Sequence, residues 1–282
     1  MSDIEQSKQL EATQVASSRL ALCIEYAGEN YKGWQKQKFD ALPTVQEHVE
    51  KALSKVANHP VSVICAGRTD TGVNGTYQII HFDSIASRDL RAWVLGTNSN
   101  LPQDISVQWA KKVDDSFHAR FSALNRRYRY IIYSNAVMPG ILPKGVTWTH
   151  KSLNLESMQR AAQFLVGEHD FSSYRAVACQ AKSPVRTISD ISLYRSGELL
   201  VIDVQANAFL HHMIRNIAGV LMKIGAAEAE PEWAQQVLLA RDRREGGVTA
   251  PPHGLYFVDV KYPQKYQLPA SKLGPYFITA RD

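Results

Sequence analysis

Apolar and polar residues alternate along LALCIEY (20–26), placing Leu20, Leu22, Ile24 and Tyr26 on one face, the period of a half-buried strand. A loop punctuated by Gly28 and Gly33 follows. The period then lengthens: Val45, Val49, Ala52, Leu53 and Val56 recur at helical spacing, and Thr44 with Glu47 forms a capping box just after Pro43. PVSVICA (60–66) and GTYQIIHF (75–82) read as strands around a turn-rich loop, GRTDTG (67–72). RDLRAWVLGTN (88–98) reads as a helix and DISVQWAKKV (104–113) as a further strand. The first half therefore runs β-α-β-β-α-β. The second half repeats the order. RRYRYIIY (126–133) is a strand and LNLESMQRAAQFLV (153–166) a helix. VRTISDISLYR (185–195) and LLVIDVQA (199–206) are strands flanking a Ser196-Gly197 turn. AFLHHMIRNIAGVLMKIG (208–225) is a helix and LYFVDVKY (255–262) the closing strand, with an extra helix, PEWAQQVLLA (231–240), before it.

Two successive split β-α-β units predict an α+β protein of two ferredoxin-like domains, with antiparallel sheets flanking a central cleft. The expected boundaries are a loose polar tail over 1–18, an N-terminal domain over 19–115 that carries the catalytic loop, and a C-terminal domain over 116–282 that completes the cleft. This architecture hosts many unrelated functions, so chemistry must come from particular residues.

Composition narrows the classes. The 282 residues are 45% hydrophobic and 21% charged, the balance of a globular chain. Three cysteines (Cys23, Cys65, Cys179) are an odd number with no C-x-x-C pair, which argues against a disulfide framework or a thiolate zinc site and for reduced thiols in the cytoplasm. No apolar run is long enough to cross a bilayer, and the polar amino terminus lacks a signal core, so no membrane role is expected. A net charge of +5 permits a polyanionic partner. Lys111, Lys112, Arg120, Arg126, Arg127 and Arg129 concentrate that charge locally, either as a solvated face or as a binding surface.

The chain has no P-loop, no G-x-G-x-x-G, no H-E-x-x-H and no G-x-S-x-G. His211 and His212 are adjacent, and on a helix neighbours diverge by about 100 degrees, so a shared metal ion is not expected. The loop CAGRTDTGVNG (65–75) brackets Arg68, Thr69 and Asp70 with Gly67 and Gly72, which suits either a turn aspartate bonded to its own loop or a reactive carboxylate approached by a large ligand. Along RRYRYIIY, Tyr128 and Tyr130 point one way and Arg127 and Arg129 the other. His211 and Arg215 are spaced to share a helix face, with Phe209, Met213 and Ile217 on an apolar side.

GRTDTGV, with YAGENYKGWQKQ (26–37), TVQEHVEKAL (44–53), FHARFSALNRRYRY (117–130), FLHHMIRNIAG (209–219) and TAPPHGLYFVDVKYP (249–263), resembles the tRNA pseudouridine synthase A family, in order along nearly the whole chain from Arg19. The resemblance implies isomerisation of uridine to pseudouridine at nucleotide positions 38, 39 and 40 of the tRNA anticodon stem-loop, by a homodimer with no cofactor and no metal. It implies Asp70 as nucleophile, Arg215 as its cationic partner and Tyr128 against the target uracil. Arg68 would fill the space left by a flipped nucleotide. Phe117, His118, Ala119, Arg120 and Phe121, together with Ala178, Cys179, Gln180, Ala181 and Lys182, would contact the tRNA, and Arg120, Arg126 and Lys182 would neutralise phosphates. Two positions depart from the family pattern, Asn74 where His is usual and Ala27 where Asp is frequent.

Two other classes remain open from the residues alone. One is a non-catalytic RNA-binding module, although the RNP-type aromatic run is missing. The other is an aspartate-based hydrolase of a phosphorylated metabolite, which would want a metal or a second carboxylate near Asp70; Asp83 is the only close acidic residue in sequence.

Overall fold

The computed structural model describes residues 17–37 and 42–278. Of the expected tail, residues 1–16 lie outside the described residues, and Ser18 already belongs to the first strand. The elements are β1 (Ser18–Tyr26), α1 (Val45–Ala57), β2 (Ile64–Cys65), β3 (Asn74–Ser84), α2 (Leu90–Asn98), β4 (Ile105–Lys112), β5 (Asn125–Ser134), β6 (Thr147–Thr149), α3 (Leu155–Gln163), β7 (Gly167–Asp170), β8 (Val185–Ser196), β9 (Leu199–Ala206), α4 (Met213–Gly225), α5 (Trp233–Ala240) and β10 (Leu255–Lys261).

Local chemistry sets the helix starts. Thr44 Oγ1 accepts from the Glu47 N–H, and the Glu47 carboxylate accepts in return from the Thr44 N–H at 2.9 Å, which completes the capping box. Asp89 and Asn154 cap α2 and α3 by accepting from the N–H groups of Ala92 and Ser157. The expected PVSVICA strand shrinks to Ile64–Cys65 because α1 side chains occupy the preceding backbone: the N–H of Val61 donates to Ser54 Oγ and that of Val63 to Glu50 Oε1.

The two sheets expected as separate layers are one. Among the described residues ten strands form a single mixed sheet in the order β4-β1-β3-β10-β5-β9-β8-β7, with β2 on β3 and β6 on β5. The junction is β10, which pairs antiparallel with β5 along most of its length and parallel with β3 through Tyr256 and Phe257 opposite Asn74 and Gly75. One core stays within the first half, where Leu22, Ile24, Val49, Leu53, Trp34 and Trp93 pack together. A larger core crosses the junction, joining Ala21, Cys23 and Ile79 to Phe117, Tyr128, Tyr130, Phe257 and the apolar face of α4. The halves are therefore cemented by shared apolar burial as well as by the backbone ladder.

Candidate active site

The loop between β2 and β3 carries Asp70, and nearly every neighbouring group is tied down. Gln78, fully buried, donates from Nε2 to Gly67 O at 2.5 Å and accepts from the Gly67 N–H at 3.3 Å. Thr69 Oγ1 bonds Tyr26 Oη at 2.8 Å, and Thr69 O accepts from the Trp34 N–H at 3.0 Å. The turn is closed by the Val73 N–H donating to Asp70 O at 3.1 Å. Gly33 makes the approach of the Trp34 segment possible: its φ is +83°, and a Cβ there would lie 2.5 Å from Thr69 O. Asn74, a departure from the family pattern, accepts from the Gly28 N–H and donates to His253 O, both at 2.8 Å, so it links the loop to the segment before β10.

Backbone and neighbours, then, fix the loop, while the Asp70 carboxylate takes no hydrogen bond from its own turn among the described residues. It faces the second half instead. His211 Nε2 lies 3.4 Å from Oδ1, His212 Nε2 lies 3.5 Å from Oδ2, and Arg215 Nη1 lies 3.7 Å from Oδ2. Arg215 is held from behind, because its Nε donates to Ala250 O at 2.8 Å while its own carbonyl accepts from the Ala250 N–H. That tether needs the 248–250 segment to cross α4 closely, and Gly219 permits it: a Cβ there would sit 1.9 Å from Val248 O.

The helix expected over 208–225 begins only at Met213, so His211 does not share a helix face with Arg215. His212 has φ +60°, left-handed, and the Met213 N–H closes a turn on Leu210 O. Outside the helix, adjacent side chains need not diverge, and the two imidazole centroids lie 4.1 Å apart beside one carboxylate. Burial lowers the pKa of His212; Asp70 opposes that shift, and the charges of Arg215 and His211 add to it.

Tyr128 lies beneath the start of the loop, where a Cβ on Gly67 would be 3.7 Å from its hydroxyl. Its ring stacks on Phe257 at 4.8 Å and meets the edge of Phe209 at 5.1 Å. It is 7% exposed, and burial pushes its phenol well above the ordinary range, so it stays protonated. Arg126 shares the Tyr128 face of β5, and its guanidinium is spent on backbone: Nη2 donates to Ala66 O (3.1 Å) and Arg120 O (2.7 Å), and Nη1 to Asn207 O (3.0 Å). Its placement is that of a brace between the loop and residues 120 and 207.

The basic cluster around it is also largely consumed. Arg127 and Arg129 converge on buried Asp203 at 2.6 and 3.0 Å, and Lys111 bonds Gln267 O. Arg68 stands exposed at the loop. Within 117–121, Phe117 and Ala119 are fully buried, and Phe121 is 75% exposed, stacked on His118 at 4.3 Å with Arg120 beside its ring. Within 178–182, Ala178, Gln180 and Lys182 are exposed to differing degrees while Cys179 and Ala181 pack against the larger core; the stretch is anchored by the Cys179 N–H on Ala176 O and the Ala176 N–H on His211 O. Asp83 lies at the far end of β3 in a bidentate pair with Arg19, remote from Asp70.

Sequence reasoning missed a basic pocket beside this centre. Arg175, Arg241 and Arg243, with Ser172, Ala176, Val177 and Asp242, line a recess of about 250 Å³. Arg243 is fixed by donating to Asn216 Oδ1 and Thr249 Oγ1. The run RDRRE (241–245) was the signal available for it.

Comparison with known proteins bears on what this centre is for. The family model described as tRNA pseudouridine synthase matches residues 22–122 and 161–263, more than two thirds of the chain. The chain belongs to the tRNA pseudouridine synthase family. It is 56% identical over 279 residues to tRNA pseudouridine synthase A of Pseudomonas aeruginosa, covering 99% of this chain and 98% of that protein. The corresponding figures for tRNA pseudouridine synthase A of Coxiella burnetii (strain Dugway 5J108-111) are 57% over 261 residues, 93% and 99%, and for that of Alcanivorax borkumensis 54% over 264 residues, 94% and 98%. As a member of a synthase family, the chain is an isomerase. Among the described residues no helix is long and apolar enough to cross a membrane.

Proposed function

We propose that this synthase converts uridine to pseudouridine at positions 38, 39 and 40 of the tRNA anticodon stem-loop, with Asp70 as the nucleophile and the target base flipped out of the stem, in the cytoplasm and without a cofactor. The observation that carries the reading is the half-exposed setting of Asp70: a carboxylate without a bond from its own turn, facing a guanidinium that is itself tethered. The reaction breaks the bond between C1′ and N1 and forms one between C1′ and C5; C5 loses a proton, N1 gains one, and no electrons are exchanged. A carboxylate serves this either by attack, giving a covalent intermediate, or as a base at the ribose.

Around it the other residues take roles that their placement supports. Arg215, 3.7 Å away and tethered from behind, orients the Asp70 carboxylate. Tyr128, protonated and rigidly stacked, offers an aromatic edge and a hydroxyl to a uracil entering under Gly67. Exposed Arg68 stands at the rim to occupy the space a flipped nucleotide leaves, which offsets part of the few kcal/mol of lost stacking. Arg120, Lys182 and the arginine-lined recess supply phosphate contacts, with His118 and Phe121 on the flank.

The strand orders β4-β1-β3-β2 and β10-β5-β9-β8 support reading the merged sheet as two ferredoxin-like units, 19–115 and 116–282, with the cleft at their junction. Homodimerisation rests on the family resemblance. The test of the chemistry uses tRNA tritiated at uridine C5, with chelator present. Wild type should release tritium to water and Asp70→Ala should not; binding of tRNA by both with release by neither would replace catalysis with an RNA-binding role.

A further inference from the structure

A shared ion is not expected of His211 and His212 as helical neighbours, and the backbone removes that objection because the helix starts only at Met213. We propose that Asp70, His211 and His212 form a capture site for a divalent transition-metal ion, Zn²⁺ foremost, and that the bound ion inhibits the enzyme by masking the Asp70 carboxylate. The masking step rests on the catalytic role proposed for Asp70; the binding step does not.

Three ligand atoms, two imidazole nitrogens and one carboxylate oxygen, lie within 4.8 Å of one another. Ligand atoms about 2.0–2.1 Å from a tetrahedral zinc ion are separated by about 3.3–3.4 Å. His211 Nε2 stands 3.4 Å from Oδ1 and His212 Nε2 3.5 Å from Oδ2, each near that edge length but on different oxygens, so a rotation of the carboxylate that brings one oxygen to both nitrogens completes the set. Imidazole and carboxylate together suit Zn²⁺, Co²⁺ and Ni²⁺ better than Mg²⁺ or Ca²⁺, which prefer all-oxygen shells. The site is partly exposed, with side-chain exposures of 42%, 28% and 25% for His211, His212 and Asp70, so an ion can enter from solvent. The tethered Arg215 guanidinium, 3.7 Å from Asp70, opposes a second cation and keeps the site weaker than a structural zinc centre. Substrate and ion would then compete for one carboxylate.

The test follows Co²⁺ binding to the metal-free full chain by its visible absorption, with Zn²⁺ added to displace it. One Co²⁺ per chain should give bands of a low-coordinate site, bleached by Zn²⁺. His211→Ala, His212→Ala and Asp70→Asn should each weaken Co²⁺ binding by about tenfold or more, the loss of a ligand exceeding that of its outer partner. His169→Ala, at a histidine away from the site, should leave it unchanged. Thermal unfolding and circular dichroism of each variant separate loss of a ligand from loss of the fold. Absence of saturable bands in wild type, or folded histidine variants that bind as wild type does, would overturn the site. In the tritium assay Zn²⁺ should inhibit release in proportion to occupancy, and chelator should restore it. Full activity of the Zn²⁺-loaded wild type would overturn the masking, whereas the catalytic role of Asp70 stands or falls separately, on tritium release by Asp70→Ala in chelator.

Discussion

Replacing Arg126 by Met separates a brace from a phosphate ligand. Methionine keeps most of the buried stem and removes every donor. Four carbonyls lose a partner, those of Arg120, Asn207 and Ala66 at 2.7 to 3.1 Å and that of Ala123 at 3.4 Å. The longest is marginal, and the other three, partly or fully open to water, contribute about 1 kcal/mol apiece, about 3 kcal/mol in all. At about 2–4 °C per kcal/mol for a chain of this size class, the unfolding midpoint should fall by roughly 6–12 °C. Because Ala66 is where the chain leaves β2 for the Asp70 loop, turnover should also fall, at up to about 10²-fold per ångström of displacement. Salt dependence supplies the discriminating measurement. If Arg126 neutralised a phosphate, its removal would make log K against log salt shallower by about 0.7–0.9, whereas removal of a brace leaves that slope unchanged. An Arg126→Met protein that melts within about 1 °C of wild type and binds tRNA with a shallower salt slope would refute the structural role and support the phosphate contact.

Three further outcomes are expected. Gly33→Ala places a Cβ 2.5 Å from Thr69 O in a left-handed backbone, costing about 1–2 kcal/mol in conformation alone, and steady-state kinetics should show kcat falling with tRNA affinity nearly kept. Asp203→Asn leaves nearly buried Arg129 without its countercharge and should destabilise by about 3–5 kcal/mol in denaturant titration, partly recovered by adding Arg129→Met. His81 accepts from the Ala119 N–H at Nδ1, and burial, with the charges of His118 and Arg19, depresses its pKa to about 4. The unfolded chain therefore takes up a proton near pH 6.5 that the folded one refuses; this stability is complete above pH 6.5 and is lost as pH falls toward 4. Allowing for solvent screening it amounts to about 2 kcal/mol, and a His81→Gln chain should unfold with a flatter profile across that window.

Regular periodicity carried well from sequence to structure. LLVIDVQA became β9 over Leu199–Ala206, and the Thr44–Glu47 box starts α1, because those signals are local and few competing partners exist for them. What failed was set by partners distant in sequence. Nothing in PVSVICA announces that Ser54 and Glu50 will take its N–H groups. The arginines of RRYRYIIY look like a cationic surface until Asp203, more than seventy residues away, neutralises two of them. The apolar spacing of Phe209, Met213 and Ile217 reads through the left-handed His212 as if it were helical, which hid the convergence of both histidines on Asp70. Resemblance supplied Asp70 and Arg215 together, and their 3.7 Å separation across two halves of the chain lies beyond any spacing rule.

The position of β10 has a consequence for the order in which the enzyme comes into being. Every residue of the smaller core lies between Leu20 and Val107, so that half can condense while the ribosome is still translating. Its aspartate must wait. Ala250, which tethers Arg215, and Tyr256 and Phe257, which seat Asn74 and Gly75, are made some 150 residues later, on the order of ten seconds at ordinary elongation rates. A nascent chain thus carries the Asp70 loop before its surroundings exist, and the loop meets its full set of partners only when the final strand slots between β3 and β5. Nonsense and frameshift lesions upstream of β10 should accordingly cost stability as well as activity, because Leu255, Phe257 and Val260 are missing from the larger core.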